Sequence, residues 1–519
     1  MLWILACVLL IIWIAISKWK NRKLNALGKI LSPKSVCLPI VGHSYKFIGS
    51  DEVRMEAMSK IGEEAYEKGG VISQWQGDLL FICVADPVIA ELLLKTCLEK
   101  VELMKMFRVL LGNGSIFAPV SIWRPRRKIL APTFSQKNLN SFVEVFARQS
   151  SIMVDQLSNV AGKGVFSVWK YLTTYTMDSV CETTLGVQVN SQLEPELPFL
   201  HNFENCCRID AKRIMQPWRY NDTLNKIFYK KAFESYKRSK EFIWKFMDQI
   251  IETKWTKLKK DKQTTEIEKT ESNQGNKTSW KTFLQLLIES PVGYGNLELR
   301  EETLVIVLAG TDTSAVGAAF TMIMLAKFPD IQEKVFEELQ EIFGNSDRPA
   351  THEDLPRLKY LDAVIKESLR LYPPVPIITR KVEKDVKLPI GVTLIDGCNL
   401  LINIWSIHRN PKYWGDDAEL FRPERFLDTP LSHPAAFMPF SYGPRSCLGY
   451  QYAMMSMKTA LSTLLRRYRI IPAETMKERN ENPNEANNNN LSKPNMRVRF
   501  DIMLKHVDKF ELQLESIRK

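Results

Sequence analysis

The chain has 519 residues, 45% of them apolar and 25% charged. That balance excludes whole-chain disorder, a collagen-like fibre and a polytopic membrane protein. A chain this long buries roughly three quarters of its unfolded surface and can enclose a large ligand. The net charge of +12 suits an acidic protein partner, an anionic membrane face or nucleic acid, without choosing among them. Nine cysteines, Cys7, Cys37, Cys83, Cys97, Cys181, Cys206, Cys207, Cys398 and Cys447, are odd in number and irregularly spaced. With no C-x-x-C, this pattern argues against a disulfide framework, a zinc ribbon or a dithiol redox pair, and for a reducing compartment.

Residues 1–16 are an unbroken apolar run, followed by Ser17 and then Lys18, Trp19, Lys20, Arg22 and Lys23. As a helix the run rises about 24 Å, short of the roughly 30 Å hydrocarbon core, and snorkelling lysines with an interfacial Trp19 make up the difference. A cleaved secretory signal carries its charges before the apolar run and small residues at its cleavage site. Here the charges follow, so residues 1–17 are expected to be an uncleaved anchor with the basic flank and the rest of the chain cytoplasmic. In that reading the sequons at Asn113, Asn221, Asn276 and Asn490 are chance matches. Residues 18–43 combine the basic flank with a hinge containing Pro33, Pro39 and Gly42. Residues 44–519 then form one large domain.

Helical periodicity is clearest over 143–158, 228–255, 297–327 and 360–371, and Pro329 stops the third of these. Residues 304–325 are apolar enough for a span, but Thr311, Asp312, Thr313 and Ser314 interrupt them, which fits a buried helix of a soluble domain. Strand-like stretches are short: 81–84, 400–403 and 496–504. The lysine-rich residues 257–281 and the Asn/Glu tract 480–490 read as exposed loops. The fold class is mainly α with small β-sheets. There is no P-loop, G-x-S-x-G or H-E-x-x-H, and Gly293-Tyr294-Gly295 lacks the third glycine of a dinucleotide fingerprint. Any redox chemistry must draw its electrons from elsewhere.

The stretch from Phe440 through Gly443, Arg445 and Cys447 to Gly449 is the most informative. A lone cysteine is ordinarily a buried structural one. A metal-binding thiolate, by contrast, needs donors and positive charge around it. Gly443 permits a tight turn that aims backbone N–H groups at the sulfur. Arg445 offers charge to a nearby acidic group, Gly449 lets the following helix approach a flat ligand, and Phe440 shields the sulfur. By chance F-x-x-G-x-R-x-C-x-G should occur on the order of once in ten thousand chains.

The stretch resembles the haem-binding loop of the cytochrome P-450 family of haem-thiolate monooxygenases. The resemblance implies that Cys447 is the axial thiolate ligand of haem iron and that Arg445 meets a haem propionate. Upstream, Ala309-Gly310-Thr311-Asp312-Thr313-Ser314 could be a local kink in an apolar helix; it is similar to the family's oxygen-binding helix, where Thr313 and Asp312 would relay protons to dioxygen. Glu367 and Arg370 share a helix face and alone would be an ordinary surface pair. With Pro423-Glu424-Arg425-Phe426 they resemble the family's E-x-x-R and P-E-R-F set, implying a buried network of Glu367, Arg370 and Arg425. Trp123-Arg124-Pro125-Arg126-Arg127 resembles W-x-x-x-R, which places Trp123 and Arg127 on the propionates, with Arg380 as a further ligand. Arg127 is expected inside, and Arg124, Arg126 and Lys128 outside, facing an acidic flavoprotein.

The resemblance covers essentially the whole chain, including His408-Arg409-Asn410-Pro411, Trp414 and Phe421. Cys181-Glu182-Thr183-Thr184-Leu185-Gly186 is similar to the clan of fatty-acid ω-hydroxylases and their insect members. Many of those carry a haem-tethering Glu where this chain has Ala309, so haem b is expected to be non-covalent. The hinge lacks the family's Pro-Pro-Gly-Pro. The resemblance further implies NADPH as indirect electron source through a membrane-bound reductase, cytochrome b5 as a candidate second partner, membrane lipid, a hydrophobic small-molecule substrate and no nucleic acid. It places the protein on the endoplasmic reticulum, catalytic domain in the cytosol. Rival readings are a haem-thiolate isomerase or dehydratase and a membrane-tethered basic scaffold. Substrates from endogenous lipid or hormone to xenobiotic or insecticide stay open, with pocket walls expected from residues 101–122 and 197–229.

Overall fold

The helix Asn296–Lys327 packs against the helices Trp169–Val180, Lys230–Glu268, Lys359–Leu371 and Tyr450–Leu465. The computed structural model describes residues 16–194, 198–268, 281–427, 430–473, 494 and 496–517, with positions 4, 8 and 12. The Gly295 N–H donates to Glu298 Oε2 at 2.9 Å at the start of this central helix, and Pro329 opens the next, Pro329–Phe343. Its apolar window would suit a membrane, but 78% of that window is buried inside the protein, so it is a core helix. Gly310 serves packing rather than a kink: a Cβ there would lie 2.7 Å from Val180 Cγ2, so the neighbouring helix could not approach as it does. That neighbour ends in one π-helical turn, Cys181–Leu185, whose Thr183 hydroxyl bonds the Tyr452 hydroxyl at 3.0 Å.

A four-stranded sheet stands beside the helices in the order Val71–Gln76, Leu79–Val84, Asn399–Asn403, Ile377–Lys381. Leu79–Val84 runs parallel to Asn399–Asn403, in register Phe81 to Asn399, and both outer pairings are antiparallel. A second hydrophobic cluster, including Ile82, Leu93 and Ile402, fills the space between this sheet and the helix Pro87–Thr96. Smaller sheets pair Phe166–Ser167, Glu511–Ser516 and Tyr468–Pro472, and Val498–Asp501 with Met503–His506. The last two are the expected strand 496–504, folded into a hairpin about Ile502 at φ 67°.

One expectation needs correction. Residues 257–268 are not loop but the end of the helix Lys230–Glu268. Lys and Glu are good helix formers, so local propensity can extend a helix where apolar periodicity is weak. Residues 269–280 and 480–490 lie outside the described residues, as do most of 1–15. Of the expected anchor, Ile4, Val8, Ile12 and Ile16 are described, helical and exposed, as is Trp19. Among the described residues every cysteine is free.

Candidate active site

A cavity of about 350 Å³ lies between the central helix and the cysteine loop. Its apolar side includes Val305, Ile306, Ala309, Val375 and Ile378. Phe440, Gly449 and Cys447 belong to the loop side, and Trp123, Arg127, Arg380, Arg445 and Lys100 also line it.

The loop is tightly specified. The Cys447 N–H donates to the Phe440 carbonyl at 2.8 Å and the Ser446 N–H to the Gly443 carbonyl at 3.0 Å. Gly443 sits at φ 74°, and a Cβ there would lie 2.8 Å from the Leu94 carbonyl oxygen, so both backbone conformation and space demand glycine. The Phe440 ring meets the Tyr450 ring edge-on at 4.7 Å. Cys447 is exposed by surface area, but the exposure is to the cavity. Removal from bulk water pushes its thiol up, while the Gly449 backbone and the Arg127 charge pull it down. Among the described residues no cluster of three or more His, Cys, Asp or Glu could hold a metal.

The cations around the cavity have donors to spare. Arg445 donates from Nη2 to the Ala118 carbonyl at 2.7 Å and lies over the Trp123 ring at 4.4 Å, yet its Nε and Nη1 are buried without a partner. Arg380 donates from Nη1 to the Thr379 carbonyl at 2.8 Å, and its Nε has none. Burial, with like charge nearby, pushes both guanidinium groups down to about 10. Arg127 donates to the Ser446 carbonyl at 2.8 Å, tying its helix to the cysteine loop. Lys100, which the sequence reading missed, faces the same cavity; burial, then Arg380 and Arg445, holds its ammonium well below the usual lysine range. Buried N–H groups without acceptors cost free energy unless a ligand supplies them. Carboxylates on a flat macrocycle fit that need, so these residues fit haem.

The expected outward-facing Arg126 is a correction. It is buried and donates to Glu302 at 2.8 Å and Glu298 at 3.3 Å, whereas Arg124 and Lys128 are exposed. On the central helix Thr313 lines the cavity and donates to the Ala309 carbonyl at 2.5 Å. Asp312 does not line it: its carboxylate is buried against Lys505 Nζ at 2.6 Å, and that ammonium lies over the Trp169 ring at 3.7 Å. Of the expected pocket walls, Ser115 and Ile116 line the cavity, but no described residue of 198–229 does.

Behind the cysteine loop Glu367 accepts from Arg370 Nε and Nη2 at 2.7 and 2.8 Å, from Arg425 Nε at 2.9 Å and from the Arg422 N–H at 2.9 Å. Arg370 also donates to the His408, Ala418 and Leu420 carbonyls. His408 joins this network to the loop: Nδ1 donates to the Arg370 carbonyl and Nε2 accepts from the Met438 N–H, both at 2.9 Å. Burial pushes its imidazole down to about 3, so it is neutral.

The family profile described as Cytochrome P-450 matches residues 33–498. The chain is similar to Cytochrome P-450 4d2 of Drosophila melanogaster, 31% identical over 463 residues, 88% of this chain and 90% of that protein. It is likewise similar to Cytochrome P-450 4V2 of Homo sapiens, 30% identical over 438 residues, 83% of this chain and 82% of that protein.

Proposed function

The chain belongs to the cytochrome P-450 family of haem-thiolate monooxygenases, and from that premise we propose that it inserts one atom of dioxygen into an apolar small molecule with electrons from NADPH through a flavoprotein reductase. The observation that carries the reading is Cys447 on a cavity whose cations have unpartnered donors. Thiolate-ligated haem, when bound, supplies O–O cleavage and oxygen insertion.

Each residue then has a task. Cys447 would supply the thiolate that holds the haem iron, with the Gly449 backbone and the Arg127 charge tempering its negative charge. Trp123, Arg127, Arg380, Arg445 and Lys100 would hold the propionates. Phe440 keeps water from the sulfur, and Val305, Ile306, Val375 and Ile378 keep it from the substrate. Thr313 holds a proton on Oγ1 at the cavity wall, and Asp312 behind it, neutralised by Lys505, is the route for its replacement. Ala309 has no carboxylate to esterify, so acidified organic solvent should extract all the haem.

Residues 1–17 anchor the protein in the endoplasmic reticulum membrane, with the catalytic domain cytosolic. Exposed Arg124 and Lys128 face the reductase, so turnover falls as salt rises. The test is reconstitution with NADPH, reductase and a panel of apolar substrates under isotopically labelled dioxygen. The reading requires reductase-dependent products carrying one labelled atom. Reductase-independent rearrangement of peroxides would favour an isomerase instead.

A further inference from the structure

Among the described residues Glu302 is the only carboxylate lining the cavity, and it is 1% exposed. Its Oε2 accepts from Ser115 Oγ at 2.7 Å, and its Oε1 accepts from Arg126 Nη1 at 2.8 Å. The same Nη1 donates to the Asn113 carbonyl at 2.9 Å, and the guanidinium lies over the Tyr294 ring at 5.7 Å. One buried pair thus joins three pieces of chain: the turn 112–115, the helix Val120–Leu130 and the first turns of the central helix. The turn has no clearance, since a Cβ on Gly114 would lie 2.4 Å from Val305 Cγ2 and 2.7 Å from the Glu301 carbonyl oxygen. Beyond it, Ser115 and Ile116 line the cavity.

We propose that Glu302 is a specificity-determining positioning residue: through Ser115 and Arg126 it clasps residues 112–116 onto the central helix and limits how bulky a ligand the cavity admits. The inference rests on reading that cavity as the haem and substrate pocket. Charge-assisted hydrogen bonds in a dry site hold geometry more firmly than apolar contact. Neutralising Glu302 removes the closest and driest carboxylate from buried Arg126, leaving it the more exposed Glu298 at 3.3 Å, and the turn must shift to rebalance the pair. Glu302 acts through Ser115 and Arg126, not on the reacting atoms.

The test uses the holoenzyme and two variants, Glu302→Gln and Ser115→Ala. Optical titrations with imidazole and with clotrimazole, a small and a bulky azole, give a ratio of affinities. Both variants should shift that ratio towards clotrimazole, by about tenfold for Glu302→Gln, the weight of one charge-assisted bond. Hydrogen exchange across residues 108–118 should quicken, with haem per chain unchanged. An unchanged ratio in both variants overturns the proposal, because a purely structural role would lower thermal stability without altering size preference. If Glu302→Gln loses haem, Ser115→Ala, which keeps the ion pair, decides by the same ratio. If wild type binds no haem, the reading of the pocket fails; exchange across 108–118 in the apo chain then decides the clasp, and no quickening in Glu302→Gln overturns it.

Discussion

Two sets of buried cations flank the cysteine loop, and they differ in one respect. Around Glu367, Arg370 spends Nε, Nη1 and Nη2 on protein acceptors and Arg425 bonds both Glu367 and Asp417. Around the cavity, Arg445 and Arg380 keep buried donors without acceptors and Lys100 faces them. Burial alone therefore does not tell a structural cation from one that awaits a ligand. Between these two sets, the inventory of satisfied donors does.

The largest effect should come from the satisfied set. Arg370→Ala leaves Glu367 short of two donors in a dry site, costing about 3–5 kcal/mol, a large part of a domain's stability. Apo and holo forms should both unfold at lower denaturant concentration; an apo midpoint equal to wild type would contradict the structural role.

The cavity set should behave oppositely. Arg380→Met removes a buried cation that lacks an acceptor at Nε and has Arg445 as a like-charged neighbour. The apo chain should melt no lower than wild type, while haem retained after gel filtration falls. If the apo chain is destabilised as Arg370→Ala is, the two sets are not different in kind.

His408 sets a pH window between them. Its folded value of about 3 lies below the unfolded value, so the unfolded chain binds the extra proton. That contribution to stability is present above about pH 6.5 and is lost as pH falls, by about 1.4 kcal/mol per unit through the window. His408→Asn should flatten this part of the denaturation profile, whatever it costs at pH 7. An unaltered slope would mean that another group carries it.

The smallest effect is expected at the rim. Lys334 pairs with Glu424 at 2.8 Å, but its side chain is 54% exposed. Lys334→Ala should change stability by under about 0.5 kcal/mol in urea.

Much of this was readable in the chain because the chemistry constrains spacing. The loop from Phe440 to Gly449 and the triad Glu367, Arg370 and Arg425 appear as short patterns with a physical reason for each member. What escaped depends on which face a residue takes once packed. Arg126 and Arg127 are neighbours with one composition, yet one meets Glu302 and the other the Ser446 carbonyl. Lys100 carries no local pattern, and only the fold brings it to Arg380 and Arg445. The Asp312 partner lies 193 residues away on the C-terminal hairpin. The end of the helix Lys230–Glu268 looked like loop because apolar periodicity stops before the helix does.

The most direct test is the carbon-monoxide difference spectrum of the reduced protein, wild type beside Cys447→Ser. A strongly red-shifted Soret band in wild type, lost in the variant, is the result expected if Cys447 is the thiolate ligand. A well-folded wild type without haem, or a Soret band typical of histidine ligation, would contradict it.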